Sequence, residues 1–202
     1  MTSLLRRLNR HQWGLWQLRT AWLDVRYGGY IGGLRESRFR HSGSAPVQSV
    51  PYRVAKTAMA AVCVRADDVL VDVGCGRGRV LNWWLSEGRL NRMIGVELDP
   101  EVASEVQKRL ARFANVEIIA GDAVELTPAE ATICFLFNPF NREVVKRWHD
   151  AILARHAAPR LTVVYVNCHH LEVFRAADAW SIDVLPKHPA DYCSIAVLSL
   201  NK

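Results

Sequence analysis

The 202-residue chain has no apolar run approaching the ~18 residues that a membrane-spanning helix requires. Near its start, arginines and the pair His11-Gln12 interrupt any apolar core, which argues against a secretory leader. Cysteine is sparse and odd in number. Five scattered residues make a poor disulfide framework, and Cys63, Cys134 and Cys193 lie in apolar runs, so a reduced, cytoplasmic setting is expected. Metal-ligand spacing is also missing: Cys168-His169-His170 is the only cluster with ligand chemistry and has no fourth partner at a recognisable distance, so no metal is expected. Acids are nearly absent from the first 56 positions, which hold two Asp and Glu against ten Lys and Arg, a net of +8, whereas the remainder nets −2. With half of its residues hydrophobic, the chain can bury one full core without disulfide or metal staples.

What is present centres on residues 69–81. The run Val69-Leu70-Val71-Asp72-Val73 is an apolar strand that passes through Gly74-Cys75-Gly76-Arg77-Gly78 into the helical Arg79-Val80-Leu81. A strand that ends in this way presents bare backbone N–H groups and a helix N-terminus to a ligand above the sheet. The pyrophosphate spacing G-x-G-x-x-G is absent; G-x-G-x-G is one residue shorter and suits a smaller anion such as an amino-acid carboxylate.

Asp72 followed by these glycines resembles the first signature of the class I S-adenosylmethionine (SAM) methyltransferases. The second apolar run, Met93 to Leu98, places Glu97 about 20 residues on, where a Rossmann-type site sets a carboxylate against ribose hydroxyls. Asp99-Pro100 then supplies an N-cap and first-turn proline for a helix with Val102, Val106, Leu110 and Phe113 on one face. A third strand, Val116 to Ala120, ends in Gly121-Asp122, and Asp122 looks like the family's adenine-contacting acid. The cofactor set implied by the resemblance is Asp72, Gly74, Cys75, Gly76, Gly78, Glu97, Leu98, Asp122 and Ala123, with SAM as cofactor.

The fourth strand, Thr132 to Phe137, runs into Asn138-Pro139-Phe140, which resembles the turn of amino-methylating members of that family with one proline missing. The resemblance implies transfer to a nitrogen of an unidentified acceptor: protein side chain, small molecule or nucleobase. The Asn138 side-chain oxygen and the Pro139 carbonyl would accept the acceptor's N–H bonds, and Phe140 would pack against it, its ring face favouring a developing cation. A second reading of the same residues is a turn in which Asn141 caps a helix carrying Val144, Val145, Trp148 and Ile152.

Leu161 to Asn167 reads as a fifth strand, Leu171 to Ala177 as a short helix, and Trp180 to Leu185 and Tyr192 to Leu200 as closing strands. The linker Pro186 to Asp191 is too short for a helical crossover, so the closing pair should be antiparallel. The expected fold is α/β: a doubly wound, mostly parallel seven-stranded sheet with a final antiparallel hairpin. His169 and His170 would sit on the carboxyl-end rim, either as a base or as polar residues at a helix start.

The sequence divides into a basic helical extension, residues 1–51, and a SAM-binding domain, residues 52–202. In the extension, Leu4, Leu8, Leu15, Leu18, Trp22 and Val25 fall on one helical stripe among Arg6, Arg7, Arg10 and Arg19. Three roles are open for it: a packing helix or lid, an anchor on an anionic membrane surface through Trp13, Trp16 and Trp22, or attraction to an acidic macromolecule such as nucleic acid. The segment around Gly28-Gly29-Tyr30-Ile31-Gly32-Gly33 would close over the sheet rim, with Tyr30 and Tyr52 lining the pocket, or serve only as a linker. Two rival functions share part of the pattern: a nicotinamide-dependent oxidoreductase, which would not need the Asn-Pro-Phe turn or the closing hairpin, and a non-catalytic nucleoside-binding module.

Overall fold

The computed structural model describes residues 17–29, 31–32, 34–35, 38–44, 47–186 and 193–201. Helix α1 occupies residues 17–26. Strands β1 (Leu34–Arg35) and β2 (Val47–Gln48) pair antiparallel around a 3-10 turn at Arg40–Ser42. Helix α2 (Tyr52–Ala60) leads into the alternating core: β3 (Val69–Val73), α3 (Arg79–Ser86), β4 (Arg92–Glu97), α4 (Pro100–Leu110), β5 (Val116–Ala120), α5 (Ala123–Leu126), β6 (Ile133–Phe137), α6 (Arg142–Arg155) and β7 (Thr162–Val166). Helix α7 (Glu172–Arg175) and strands β8 (Trp180–Val184) and β9 (Ile195–Leu200) complete it.

The seven-stranded sheet has the order β5-β4-β3-β6-β7-β9-β8. The first five strands are parallel, and β9 runs antiparallel to both β7 and β8. The expected closing hairpin is therefore present, with β9 inserted between its partner and the parallel sheet. A closing strand of this sense is what separates the methyltransferase expectation from the dehydrogenase one.

Central strands of a parallel sheet are covered on both faces, which is why β6 reads as an unbroken apolar run and β3 as one interrupted only by Asp72. Alternate residues feed opposite layers. Leu70, Met93, Ile133 and Phe135 pack with Val80, Leu81, Trp84 and α2, whereas Val71, Val73, Cys134 and Leu136 pack with Val145, Trp148 and Phe174. Trp84 and Trp148 are fully buried, one in each layer.

The described part of the N-terminal extension shares this core. Leu23 and Tyr27 join the cluster of Tyr52 and Leu110, and Tyr27 stacks obliquely on Phe113 at 5.8 Å. Leu18, Trp22 and Val25, part of the predicted apolar stripe, point outward instead. The helix is rotated by its polar contact: Asp24 is completely buried and ion-paired with Arg79 at 2.7 Å. Leu4, Leu8, Leu15, Trp13, Trp16, Arg6, Arg7, Arg10 and Tyr30 lie outside the described residues, as does most of the 186–191 linker. Among the described residues, no helix is long and apolar enough to cross a membrane, and no cluster of His, Cys, Asp and Glu has the makings of a metal site.

Candidate active site

The glycine turn begins where β3 ends. It is pinned to the neighbouring strand by the Cys75 N–H, which donates to the Val96 carbonyl at 2.9 Å, and closes on itself through Gly78 N–H to Cys75 O at 2.8 Å. Gly74, Gly76 and Gly78 all have positive φ (72°, 51° and 73°), the region where a side chain is strained. Their bare faces serve close approach by protein as much as by ligand. A Cβ on Gly74 would stand 2.6 Å from the Pro139 Cβ, so this glycine lets the Asn-Pro-Phe turn lie directly against the glycine turn. A Cβ on Gly78 would stand 2.8 Å from Val106 and 3.0 Å from the Arg109 guanidinium.

A cavity of about 410 Å³ opens above these strand ends. It is lined by Asp72, Gly74, Cys75 and Gly76 from the first turn, by Glu97 and Leu98 from the second, by Asp122 and Ala123 from the third, and by Asn138, Pro139 and Phe140 from the fourth. One cavity thus unites every predicted site residue except Gly78, which caps α3 and packs on α4 instead. Tyr52 is also absent from the lining: its hydroxyl donates to Asp24 at 2.8 Å within the core. His169 and His170 do not reach the cavity. His169 is exposed, and His170 Nδ1 lies 3.8 Å from Glu172. Asn167, at the end of β7, takes that rim position with φ 54°.

The acids differ in what they already hold. Glu97 Oε2 accepts from Gly76 N–H at 2.8 Å and Oε1 from Asp99 N–H at 2.9 Å, so it stiffens both the glycine turn and the start of α4. Each oxygen keeps a lone pair for a further donor. Burial raises its pKa despite those two bonds. Asp122 caps α5, accepting from Val124 N–H at 2.9 Å. Asp99 caps α4 as the sequence predicts, and Arg38 straddles it from outside at 2.6 Å and 3.1 Å, which holds its carboxyl below the ordinary range.

Asp72 and Asn138 are different in kind. The Asp72 side chain is buried, and its Oδ2 meets no hydrogen-bond partner among the described residues. Burial, reinforced by the Glu97 charge, pushes its pKa well above the usual carboxylate value. Asn138, at φ 42°, likewise holds a buried, unpartnered Oδ1. A buried acceptor left unmade costs about 1–3 kcal/mol, and both residues are among those that line the cavity. Asn141 caps α6 through Val144 N–H at 3.0 Å, so the turn and the site readings of this stretch are both realised, on adjacent residues.

Further lining comes from a segment in which the sequence pattern marks no pocket residue. Ser42, Ser44, Gln48, Ser49 and Val50 face the cavity. The described residues of this segment, 38–44 and 47–50, form a strap at the rim, held by an isolated antiparallel bridge between Ser44 and Phe140. The pairing residues carry no periodicity in the sequence.

The sheet order, the antiparallel closing strand and the acid-glycine turn are those of the class I SAM-dependent methyltransferases, and the chain has that fold. Residues 70–158 match the family described as "Methyltransferase domain". A protein-lysine N-methyltransferase of Saccharolobus islandicus is 25% identical over 95 residues, 46% of this chain and 59% of that protein. Ribosomal RNA small subunit methyltransferase A of Thermotoga maritima is 31% identical over 90 residues, 44% of this chain and 32% of that protein. The chain therefore spans less than two thirds of either curated relative. Among solved structures, an RNA methyltransferase from Salinibacter ruber in complex with S-adenosyl-L-homocysteine superimposes with a TM-score of 0.59 at 22% identity, over 75% of this chain and 93% of that one.

Proposed function

We propose that this protein is a SAM-dependent methyltransferase acting on a nitrogen of its acceptor. The observation that carries the reading is the contact between Gly74 and Pro139, which brings Asp72 and Asn138, each with a buried, unpartnered oxygen, into the lining of one cavity. One relative is named for N-methylation of protein lysine, which supports a nitrogen acceptor.

The residues present fit SAM. Asp72 Oδ2 lacks a donor, which the amino-acid ammonium would supply; the turn at Gly74–Gly76 and the start of α3 would hold the carboxylate; Glu97 retains lone pairs for ribose hydroxyls; and Asp122, just past β5, would accept from the adenine amine. When bound, SAM supplies a methyl carbon activated by its sulfonium, so that the nitrogen–carbon bond forms as the sulfur–carbon bond breaks. Asn138 Oδ1 and the Pro139 carbonyl hold the N–H bonds of a neutral nitrogen and aim its lone pair. Phe140, buried against the α6 layer, fixes the far side of that nucleophile. The strap residues Ser42, Ser44, Gln48, Ser49 and Val50 keep water from the line of attack, and positioning of this kind supplies most of the rate. The nitrogen's proton leaves to solvent or to a base on the acceptor. Five free thiols support a cytoplasmic setting.

The test is calorimetric titration with S-adenosylhomocysteine, followed by transfer of labelled methyl from SAM to protein, RNA and small-molecule fractions. Binding with labelled product in one fraction is expected. Binding without product in any of them would leave a nucleoside-binding module, and preference for NAD would restore the oxidoreductase reading.

A further inference from the structure

Arg79 is the first residue of α3 and is 7% exposed. A buried guanidinium needs a counter-charge, and it has one from an unexpected place. Asp24, on α1, is fully buried and accepts from Arg79 Nη2 at 2.7 Å, from the Tyr52 hydroxyl at 2.8 Å and from Ile31 N–H at 3.3 Å. The guanidinium also lies over the Tyr52 ring, 5.4 Å from its centre. These contacts fix the fork without exhausting it. Arg79 Nε is buried and has no partner among the described residues, and Arg79 is one of the residues that line the cavity, with Gly74 and Gly76.

Three observations converge on an anion at this end of the cavity: the N-terminus of an eight-residue helix, the left-handed glycine turn, and an unused donor on a buried cation. The cavity's unpartnered acid, Asp72, calls for a cation beside it. A zwitterionic amino-acid group answers both.

Resting on the SAM reading above, we infer that Arg79 binds the carboxylate of the cofactor's amino-acid moiety, and that Asp24 on the N-terminal helix is the positioning residue that holds Arg79 for it. The basic extension is then a component of the cofactor site and not an appendage to it. A charge-assisted bond from a preoriented guanidinium selects for the intact amino acid over truncated nucleosides, and this selectivity depends on a helix that lies before the methyltransferase domain in the chain.

The experiment is a cycle between protein and ligand on the full chain, read by calorimetry without turnover. S-Adenosylhomocysteine is compared with its decarboxylated analogue, which keeps the amine, and with 5′-methylthioadenosine, which lacks the whole amino-acid part. The wild type is expected to bind the decarboxylated analogue at least about tenfold more weakly than S-adenosylhomocysteine. In Arg79→Lys and Asp24→Asn that preference should shrink to within about twofold to threefold, while affinity for 5′-methylthioadenosine stays unchanged and reports that the variant is folded. Equal losses for all three ligands would assign the pair a purely structural role. If both variants fail to fold, the wild type still decides, because indifference to the carboxylate overturns the inference. Failure of the wild type to bind any of these ligands would instead overturn the SAM reading itself.

Discussion

Ser44 and Phe140 form an antiparallel bridge, and one residue further along the Asn141 N–H donates to the Gly43 carbonyl at 2.9 Å. The strap and the acceptor turn are therefore one unit, although nearly a hundred residues of chain separate them. Gly43 adopts φ 85°, and a Cβ there would meet Asn141 Nδ2 at 2.7 Å and Val144 Cγ2 at 2.8 Å. Gly43→Ala should lift the strap, costing about 1–3 kcal/mol in urea unfolding. Turnover should fall further than S-adenosylhomocysteine affinity, since the bridge it breaks lies on the acceptor side.

Replacing Asn138 tests the acceptor role directly. Asn138→Gly suits the left-handed backbone at φ 42° while deleting the unpartnered oxygen. A fall of roughly 10- to 100-fold in kcat, with the cofactor dissociation constant within about twofold of wild type, is expected from loss of a bond made to the acceptor. Parallel losses in both would remove Asn138 from the acceptor's shell.

Gly78 should behave in the opposite way. It is outside the cavity lining, and its missing side chain makes room for Val106 and Arg109 at φ 73°. Gly78→Ala is expected to destabilise the fold by about 1–3 kcal/mol, read by thermal unfolding. Affinity loss should appear only near the unfolding transition.

The pH dependence follows from Asp72 and Glu97. Both carboxyls are raised above their ordinary values by burial, Asp72 with help from the Glu97 charge. In the window between the ordinary and the raised values the unfolded chain carries fewer protons than the folded one, so stability of the free protein should fall as pH rises through it. A ligand ammonium beside Asp72 favours the ionised form. Binding of S-adenosylhomocysteine should therefore release protons and tighten with rising pH over the same window, seen as a buffer-dependent calorimetric enthalpy. Asp72→Asn should remove much of that dependence.

The residues that were legible in the sequence share one property: they sit where local rules act alone. The runs at 69–73, 116–120 and 133–137 are strands in which apolar residues dominate, broken only by Asp72 and Glu117, and Asp99-Pro100 caps α4 by a local hydrogen bond, so composition revealed them. Asp72, Glu97, Asp122 and Asn138 were found because each stands at or near a strand's carboxyl end. The reason for two of the glycines was not legible. Gly74 and Gly78 answer to Pro139 and to Val106 with Arg109, and such long-range packing leaves no periodic trace.

The N-terminal region was the hardest to read for the same reason. Its apolar stripe suggested one packing face, but the buried pair of Asp24 and Arg79 turns α1 so that Leu23 and Tyr27 go inward. Asp24, the single acid of α1, was the available signal. Helix α2 was also missed: its buried Val54, Ala55, Ala58 and Met59 follow Pro51, but without a side-chain cap to mark the start.

The insertion of β9 between β7 and β8 has a consequence for assembly. Until Ile195–Leu200 has been made, β7 presents an open edge, with Val163 and Tyr165 lacking their final neighbours. Asn167 waits for the same event, since its N–H donates to the Ser194 carbonyl at 2.6 Å. As the polypeptide emerges, the nucleoside half of the cleft has all its strands by Ala120, whereas the half facing the acceptor is finished only by the final strand. A nascent chain halted before that strand would be expected to hold a cofactor cradle with an unfinished, adhesive flank.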